Sequence, residues 1–341
     1  MKVVTFGEIL LRLAAPGYTK LFQKDSLDAT FCGGEANVAV SLSIFGVDSV
    51  FITKLPDSDV GHAAAHSLDY FKVDTSKIIY GEGRMGLYYL EKGASQRPSK
   101  VIYDRAYSAI SLAKREEFDW GAIFDDADWF HWTGINPALS VELAEICLEA
   151  CQKAREKGIK ISCDLNYRAK LWSPEKAQSV MRKLMPYVDV CIFNEEDAEK
   201  VLGITNELTD VEAGELDNAG YVHTAEVIYS RYGCKYIATT LRKSYSASRN
   251  GWSAMLYDAE AVESYFSREY DIQLVDRVGG GDSFGAGIIY ALGSGMRCQD
   301  AIEFATAASC LKQTIEGDYN RATVNDVDAL LKSGGNGRVQ R

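Results

Sequence analysis

The sequence predicts an α/β protein in which helices cover both faces of a mainly parallel β-sheet. Short apolar runs alternate with segments of helical spacing along most of the 341 residues. This alternation is typical of parallel sheets, whose strands need crossover connections. Apolar residues make up 47% and charged residues 25% of the chain, which is ordinary for a globular protein with a large buried core. Two segments without long helical patterns, 15–32 and 80–107, interrupt the alternation and predict a smaller second sheet.

The first elements establish the strand–helix order. Residues 3–6 form a short apolar run before Gly7, which indicates a buried strand. Residues 37–45 have helical spacing and stop at Gly46, a residue type that commonly follows the last helical turn. Ser173–Pro174 predicts another helix start, because Ser caps helices and Pro fits the first turn. Further strands are predicted at 50–53, 159–164, 188–193, 236–241 and 253–257, and further helices at 59–71, 141–157, 195–202, 283–292, 301–315 and 324–331.

The interruptions also define the predicted domain organisation. Within the second of them, residues 86–91 and 100–103 have the composition of strands. Residues 203–223 are polar and acidic, which predicts a surface insertion. The predicted units are an α/β core of residues 1–14, 33–79 and 108–333, a β lid of residues 15–32 and 80–107, and a flexible tail of residues 334–341.

Charge and cysteine usage argue against several classes of protein. With 48 acidic and 37 basic residues, the net charge is −11. Nucleic acids and anionic membranes require dense Lys and Arg, so neither is an expected partner. No apolar stretch reaches the roughly 20 residues of a membrane helix, and the N-terminus lacks a signal-peptide pattern. The eight cysteines show no C-x-x-C spacing, which argues against a zinc site and predicts a reduced, cytoplasmic protein.

The strongest chemical signal is a glycine run before an apolar helix. Gly279, Gly280 and Gly281 precede the helical pattern, so backbone amides at the helix start are expected to bind an anion. Asp282 follows them, and a carboxylate beside a transferring phosphoryl group suits a general base. The alternative is a tight strand-to-helix turn capped by Asp282, because glycine-rich runs alone are weak evidence.

Two separate motifs connect the chain to a family. Residues 276–287 resemble the C-terminal signature of the ribokinase-like (PfkB) carbohydrate kinases, and residues 33–37 resemble their N-terminal signature. Arg277 is a departure, because a small residue or proline is usual there. The resemblance extends from residue 2 to about 332. It implies a three-layer α/β/α sandwich with a mainly parallel sheet and a small β-sheet lid.

The same resemblance implies roles for individual residues. It makes Asp282 the catalytic base and assigns the three glycines, Gly279 to Gly281, to an anion hole for the γ-phosphate. It assigns Gly33, Gly34 and Asn37 to the sugar site.

A third run supports a metal site. Residues 194–197 resemble the N-x-x-E motif of the family, with Asp in place of the usual Glu. The resemblance implies that Asn194 and Asp197 hold Mg²⁺ through water, since Mg²⁺ keeps several of its water ligands. The alternative is an acid-rich helix start that complements the helix dipole.

The nucleotide side is less regular. Thr240 and Arg242 end a strand that resembles the family's nucleotide-contacting strand, and Gly317 lies in the region that usually lines the adenine pocket. Residues 242–246 replace the glycines that are usual in this loop, so the contacts to ATP differ from the family pattern.

The substrate motifs favour an acid sugar. Residues 164–172 resemble a D-x-N-x-R-x-x-L-W run of fructokinases and 2-keto-3-deoxygluconate kinases, and residues 103–109 resemble a Y-x-R-x-x-S-A run of the latter. A guanidinium group pairs with a carboxylate in bidentate geometry. The resemblance implies that the sugar is bound by Tyr88, Tyr103, Arg105 and Arg168.

These observations predict an enzyme that uses ATP and Mg²⁺ to phosphorylate 2-keto-3-deoxygluconate, giving the 6-phosphate. We also expect a homodimer formed through the lid. A fructokinase or another neutral-sugar kinase is an alternative, in which Arg105 and Arg168 would not determine the choice of substrate. A non-catalytic sugar- or nucleotide-binding regulator is a second. A dinucleotide-dependent oxidoreductase is disfavoured, because no G-x-G-x-x-G run follows the first strand.

Overall fold

A computed structural model describes residues 1–205 and 218–334. Residues 206–217 of the predicted insertion and 335–341 of the predicted tail lie outside the described residues. The strands are β1 (Lys2–Phe6), β2 (Leu10–Ala14), β3 (Asp28–Cys32), β4 (Asp48–Ile52), β5 (Lys54–Pro56), β6 (Ile79–Gly81), β7 (Gly86–Glu91), β8 (Lys100–Asp104), β9 (Trp129–Thr133), β10 (Lys160–Asp164), β11 (Val190–Phe193), β12 (Tyr236–Ser246), β13 (Arg249–Asp258), β14 (Glu263–Phe266) and β15 (Tyr270–Gln273). The helices are α1 (Gly34–Ile44), α2 (Asp59–Asp69), α3 (Trp120–Ile123), α4 (Ile135–Leu139), α5 (Val141–Glu156), α6 (Pro174–Leu184), α7 (Glu195–Leu202), α8 (Asn218–Tyr232), α9 (Gly280–Gly293), α10 (Cys298–Gln313) and α11 (Val324–Ser333).

Nine of the described strands form one large sheet. Its order is β14-β13-β12-β11-β10-β9-β1-β4, and β15 also pairs with β13. The strands from β12 to β4 in this order pair in parallel, whereas β13 pairs antiparallel with β12, β14 and β15. The predicted α/β class with a mainly parallel sheet is therefore confirmed.

Alternate residues of the central strand β1 enter different cores. Val4 and Phe6 pack in one apolar cluster with residues of α5 and α6. Val3 packs in a second cluster with residues of α1, α9 and α10. Successive side chains of a strand point to opposite faces, so the two clusters lie on the two faces of the sheet. The result is the predicted three-layer arrangement of helices, sheet and helices.

Among the differences from the predicted elements, two concern β9 and α8. The prediction contained no strand at Trp129–Thr133, yet β9 is buried at all five positions and lies between β1 and β10. His131 interrupts its apolar run, and only packing between two neighbours identifies it as a strand. Asn218–Tyr232 is helix α8, so the C-terminal end of the predicted 203–223 insertion is helical. Among the described residues, no helix combines the length and apolarity needed to cross a membrane.

A smaller sheet of four strands lies beside the large one. Its order is β3-β2-β7-β8, and β3, β7 and β8 come from the segments predicted to form the lid. The prediction assigned residues 1–14 to the core, but Leu10–Ala14 pairs with β3 and β7 in this sheet. Val278 and Tyr319 of the C-terminal region pack against an apolar cluster of this sheet, so the sheet is joined to the core by apolar contact. The cluster consists of Leu10, Ala14, Cys32, Tyr88 and Leu90.

Buried charges also join the small sheet to the core. We call Arg12, Tyr88, Asp276 and Asp318 the Arg12 cluster. Arg12 of β2 donates to Asp276 at 2.6 Å and also to Asp318. Tyr88 of β7 donates to Asp318 at 2.7 Å. Burial disfavours the charge on Arg12, but Asp318, Tyr88 and Asp276 outweigh it and raise its pKa. The four residues are at most 6% exposed, so the charge of Arg12 is compensated inside the protein rather than by solvent.

Replacing Arg12 with Met should therefore lower the free energy of unfolding by about 3–5 kcal/mol, because it leaves two buried carboxylates without their cation. Urea denaturation monitored by circular dichroism measures the change. The matched control is Arg249→Met, which breaks an equally well-formed pair with Asp271 on the surface. Solvent screens that pair, so we expect almost no change there. Equal effects of the two substitutions would contradict a structural role for the Arg12 cluster.

Candidate active site

The glycine loop, residues 279–281, has a shape that only glycine permits at its first position. Gly279 has a φ of +82°, in the left-handed region that glycine adopts without strain. A Cβ atom at Gly279 would overlap the carbonyl oxygen of Asp318. The chain thus turns sharply into α9 while lying against the loop that carries the Arg12 cluster.

The first turn of α9 presents backbone amides to the space in front of it. The amide of Gly280 donates to the carbonyl of Arg277 at 3.3 Å. Among the described residues, no acceptor faces the amides of Gly281 and Asp282. Free amides at a helix start attract an anion. The predicted anion hole therefore has two available donors, and Gly281 is the only predicted member among them.

The two family motifs meet at Asp282. The amide group of Asn37 donates to the Asp282 carboxylate at 2.6 Å, although 245 residues separate them in sequence. A Cβ atom at Gly34 would lie 3.7 Å from the same carboxylate. At Gly33, a Cβ atom would overlap the carbonyl oxygen of Glu8. The glycine pair therefore lets the start of α1 approach the start of α9.

The surroundings of the Asp282 carboxyl group raise its pKa above the ordinary value of 3.8. Burial raises its pKa to about 6, and the nearby Asp318 carboxylate acts in the same direction. The hydrogen bond from Asn37 and the charges of Arg168 and Lys312 act in the opposite direction. A carboxylate with this pKa is ionised at neutral pH and binds a proton more readily than an exposed one.

Two cavities open beside these residues. The first has a volume of about 430 Å³ and the second about 970 Å³. Arg168 and Glu196 line both of them, so the cavities adjoin. The first is lined by polar residues that include Asp164, Asn194, Asp197, Thr240, Arg242, Gly279, Gly280, Gly281 and Asp282. The second is lined by residues that include Tyr103, Arg105, Tyr107, Tyr167, Lys170 and Leu171.

The two arginines predicted to bind a carboxylate have different surroundings. Arg105 donates to the buried Glu8 carboxylate through Nε at 2.7 Å and also through Nη2. Its guanidinium group also lies over the Tyr103 ring, 5.3 Å from the centroid. Arg168 donates to the Tyr167 carbonyl at 2.8 Å, and it forms no ion pair with any described carboxylate. Of these two arginines, Arg168 is therefore the one whose charge is available to a ligand.

Five residues of the predicted site do not line either cavity: Gly33, Gly34, Asn37, Tyr88 and Gly317. The first three were expected at the sugar, but they lie at the start of α1, where Asn37 contacts the Asp282 carboxylate. Tyr88 was expected to line the sugar site, but its hydroxyl group belongs to the Arg12 cluster. Gly317 was expected at the nucleotide, but its amide donates to Asp276 at 3.2 Å. Both residues support the loops around the glycine loop rather than the cavity walls.

Asn194 and Asp197 cap the start of α7. The Asn194 side chain accepts hydrogen bonds from the amides of Glu196 and Asp197 at 2.9 and 3.1 Å. The Asp197 carboxylate accepts from the amides of Tyr167 and Asn194 at 2.7 and 3.1 Å. Both carboxylate oxygens are thus occupied, as expected for the alternative of an acid-rich helix start.

Two other carboxylates lie where a cation could bind. Asp164 and Glu196 line the first cavity. Burial raises the pKa of Asp164, and the charges of Asp197 and Asp282 raise it further. Among the described residues, no group of three or more His, Cys, Asp or Glu side chains is arranged to hold a metal ion. Mg²⁺ at this place would need phosphate and water oxygens as additional ligands, which is its usual mode of binding with substrates.

The hairpin of β12 and β13 adds residues that the sequence motifs did not identify. Its register pairs Arg242 with Trp252, and Asn250 and Trp252 join Thr240 and Arg242 in lining the first cavity. Arg277, the departure from the C-terminal motif, lines the same cavity. Burial lowers the pKa of Arg277, and the like charge of Arg242 lowers it further. Two neighbouring guanidinium groups in a cavity favour an anionic ligand.

Sequence reasoning also missed three buried charged residues: Glu8, Asp318 and Lys312. Each contacts a residue or loop of the candidate site. A charged residue inside an apolar pattern was the available signal, and Lys312 within the predicted 301–315 helix is the clearest example. Such residues almost always have a specific partner when buried.

Comparison with known families agrees with this geometry. Residues 1–231 and 251–323 match the pfkB family carbohydrate kinases. The chain belongs to the pfkB family, and the protein is therefore an enzyme, a carbohydrate kinase. Residues 232–250 are outside the match and include the 242–246 stretch that departs from the family pattern.

Individual relatives cover nearly the whole chain. The crystal structure of a 2-dehydro-3-deoxygluconokinase from Thermotoga maritima is 51% identical, with a TM-score of 0.93 over 97% of this chain and 99% of that one. A 2-dehydro-3-deoxygalactonokinase from Haloferax volcanii is 32% identical over 98% of this chain and 97% of its own length. A fructokinase with bound ATP from Xylella fastidiosa shares the fold, with 20% identity and a TM-score of 0.77 over 98% of both chains.

The environment of Asp282 predicts a gain in stability when its charge is removed. Its pKa in the folded protein, about 6, lies above the ordinary value of 3.8, so the charged form destabilises the fold above pH 6. We expect Asp282→Asn to raise the free energy of unfolding at pH 8, by up to about 3 kcal/mol. The difference from the wild type should shrink between pH 6 and pH 4, as the wild-type carboxyl group takes up its proton.

Urea denaturation at several pH values measures this difference. The matched control is Asp271→Asn, which removes an exposed carboxylate whose pKa is lowered by Arg249. That variant should not become more stable at pH 8. A gain that is independent of pH would contradict the proposed cause of the Asp282 effect.

Proposed function

We propose that the protein transfers the γ-phosphoryl group of ATP to the 6-hydroxyl group of 2-keto-3-deoxygluconate, also called 2-dehydro-3-deoxygluconate. The observation that carries the proposal is the meeting of the two family motifs at Asp282, next to the unpaired Arg168 that lines both cavities. In this proposal a base, free helix-start amides and a cation surround one point. The relatives named above support a 2-keto-3-deoxy acid sugar as the substrate.

In this proposal Asp282 accepts the proton of the substrate hydroxyl group. The oxygen then attacks the γ-phosphorus, and the bond to the leaving ADP oxygen breaks. The free amides of Gly281 and Asp282 stabilise the negative charge on the transferring phosphoryl group. Asn37 holds the Asp282 carboxylate at 2.6 Å, so the base has a defined orientation toward the hydroxyl group.

The residues of the first cavity are suited to the phosphates and to Mg²⁺. Asp164 and Glu196 would hold the metal together with water and phosphate oxygens. When bound, Mg²⁺ neutralises charge on the phosphates. Arg242 and Arg277 lie in the same cavity, and we assign them to the non-transferring phosphates. Asn194 and Asp197 keep the start of α7 in place beside this cavity.

The second cavity suits the acid sugar. Arg168 pairs with the substrate carboxylate, because it has no other ionic partner among the described residues. Arg105 is neutralised by Glu8, so its role is to orient the Tyr103 ring that forms the cavity wall. The neutral-sugar alternative requires Arg168 to be dispensable. The regulator alternative has no use for a base whose pKa is raised to about 6.

The small sheet completes the proposed enzyme. Together with residues 15–32 and 80–107, it acts as a lid that excludes water from the transferring phosphoryl group. Eight free cysteines, seven of them buried, are consistent with a reducing cytoplasm. A homodimer formed through the lid stays a prediction.

A coupled assay of ADP release with Mg·ATP tests the proposed reaction. The panel contains 2-keto-3-deoxygluconate, its galactonate epimer, fructose, ribose and gluconate. We expect turnover on the 2-keto-3-deoxy acids and much weaker turnover on the neutral sugars. The galactonate epimer is included because of the relative from Haloferax volcanii.

Asp282→Asn is the control for the base: it should lose nearly all turnover while still binding the sugar. Preference for fructose or ribose would exclude the acid-sugar assignment.

Replacing Arg168 with Met should raise the KM for the acid sugar about 10- to 100-fold. A charge-assisted hydrogen bond contributes about 1.5–3 kcal/mol, and about 1.4 kcal/mol corresponds to a factor of ten. The fructose activity of the same variant should change much less, because fructose has no carboxylate. Lys170→Met is the matched control, since Lys170 lines the same cavity but is exposed. If Arg168→Met left the KM unchanged, the substrate carboxylate would have to be bound by another cation.

A further inference from the structure

Lys312 is a buried cation that the proposed mechanism does not use. It lies in the last turn of α10, and its side chain is inaccessible to solvent. The ammonium group donates to the carbonyl oxygen of Asp276 at 3.0 Å and also to that of Val278. These two carbonyl groups come directly before the glycine loop. The contacts are therefore to the backbone that determines where the loop begins.

The surroundings of Lys312 show that its charge has a cost. Burial lowers the pKa of the ammonium group, while the carboxylates of Asp276, Asp318 and Asp282 oppose the shift. No described carboxylate forms a direct ion pair with it. A buried charge without a direct counter-ion is destabilising, so a neutral side chain of similar length would suit α10 better if Lys312 only filled space.

The same face of α10 holds the glycine loop at other points. Ser309, three residues earlier, donates to the carbonyl of Gly280 at 2.7 Å. The carbonyl of Gln313 accepts from the amides of Val275 and Asp276 at 3.0 and 3.2 Å. Residues three and four apart share one face of a helix. The end of α10 thus contacts the chain before and within the glycine loop, and Lys312 provides the only charge among these contacts in the described structure.

We propose that Lys312 is a positioning residue, a tethered monovalent cation that coordinates the carbonyl groups of Asp276 and Val278 and so aims the amides of Gly281 and Asp282 at the transferring phosphoryl group. This inference rests on the proposed function, because it assigns the loop to phosphoryl transfer. Lys312 does not touch the substrate. Its loss changes the geometry of transition-state stabilisation and leaves the sugar contacts of Arg168 intact.

The first test compares Lys312→Met with Lys312→Gln in the coupled assay. Met matches the length of Lys but donates no hydrogen bond, and Gln donates without a charge. We expect kcat to fall about 10- to 100-fold in Lys312→Met, no more than the roughly 100-fold lower end for outright loss of an oxyanion-hole donor, because the amides remain but are less well aimed. The KM for the sugar should stay within about twofold of the wild type, since uniform binding is unaffected. The kcat of Lys312→Gln should lie between that of the wild type and that of Lys312→Met.

The matched control is Lys77→Met. Lys77 also donates to a backbone carbonyl, that of Ala122, but it lies on the surface and lines neither cavity. That variant should keep the wild-type kcat. Circular dichroism and thermal unfolding establish that each variant is folded. A folded Lys312→Met enzyme with the kcat of the wild type overturns the proposal, and so does a loss that appears only in KM.

A second test supplies the missing cation from solution. Lys312→Ala is assayed with ammonium or methylammonium chloride, and with tetramethylammonium chloride at the same ionic strength. The small ammonium ions should restore part of kcat, whereas the bulky ion, which has no N–H donor, should not. Equal responses to all three salts, or no response, overturn the role of a tethered cation.

If the Lys312 variants do not fold, the salt dependence of the wild-type kcat tests the proposal. Its position for the cation is filled by Lys312, so its kcat should be the same in ammonium, potassium and tetramethylammonium chloride. Activation by ammonium or potassium would overturn the proposal. Failure of the proposed function is distinguishable, because it appears as wild-type inactivity on 2-keto-3-deoxy acids. Since the protein is a carbohydrate kinase, these tests then use whichever sugar the wild type phosphorylates.

Discussion

The site depends on a single constraint, the fixed shape of the glycine loop in an acidic environment. Asp276 is held from two directions: Arg12 binds its side chain, and Lys312 binds its carbonyl group. Asp318 lies beside the same arginine, and its backbone packs against Gly279. In a chain with a net charge of −11, this concentration of carboxylates is stable only because cations are buried among them. The loop, the small sheet and the end of α10 therefore form one structural unit.

The same electrostatic balance determines the chemistry available to the site. Burial raises the pKa of Asp282, and Asn37 limits the rise by donating to the carboxylate. The group is ionised at neutral pH but remains a better proton acceptor than an exposed aspartate. Arg168 and Arg242 have no ionic partners among the described residues, so the site has unpaired positive charge that suits anionic ligands.

The sequence motifs assigned Asn37 to the sugar and Asp282 to the role of base, and the structure brings the two side chains into contact, because each stands near the start of a helix that follows a glycine turn. The motifs were less informative about which basic residues are free to bind a ligand. Arg105 and Arg168 looked equivalent in the sequence, yet Glu8 neutralises Arg105 and leaves Arg168 free. Tyr88 was expected at the sugar, and a carboxylate 230 residues away binds its hydroxyl group instead. Partner choice among buried polar groups depends on contacts that no local pattern encodes.

The sequence by itself determined the α/β class, the order of most elements, the glycine loop and the membership of a carbohydrate kinase family. Periodicity and glycine placement reflect local backbone geometry, which neighbouring residues specify. Only the tertiary structure decided that β2 joins the small sheet, that β9 is a central strand, and that Arg12 and Lys312 hold the glycine loop. These features arise between segments distant in sequence, where burial forces each polar group to find a partner. The physical reason is that hydrophobic spacing is a property of one segment, whereas charge compensation is a property of the assembled site.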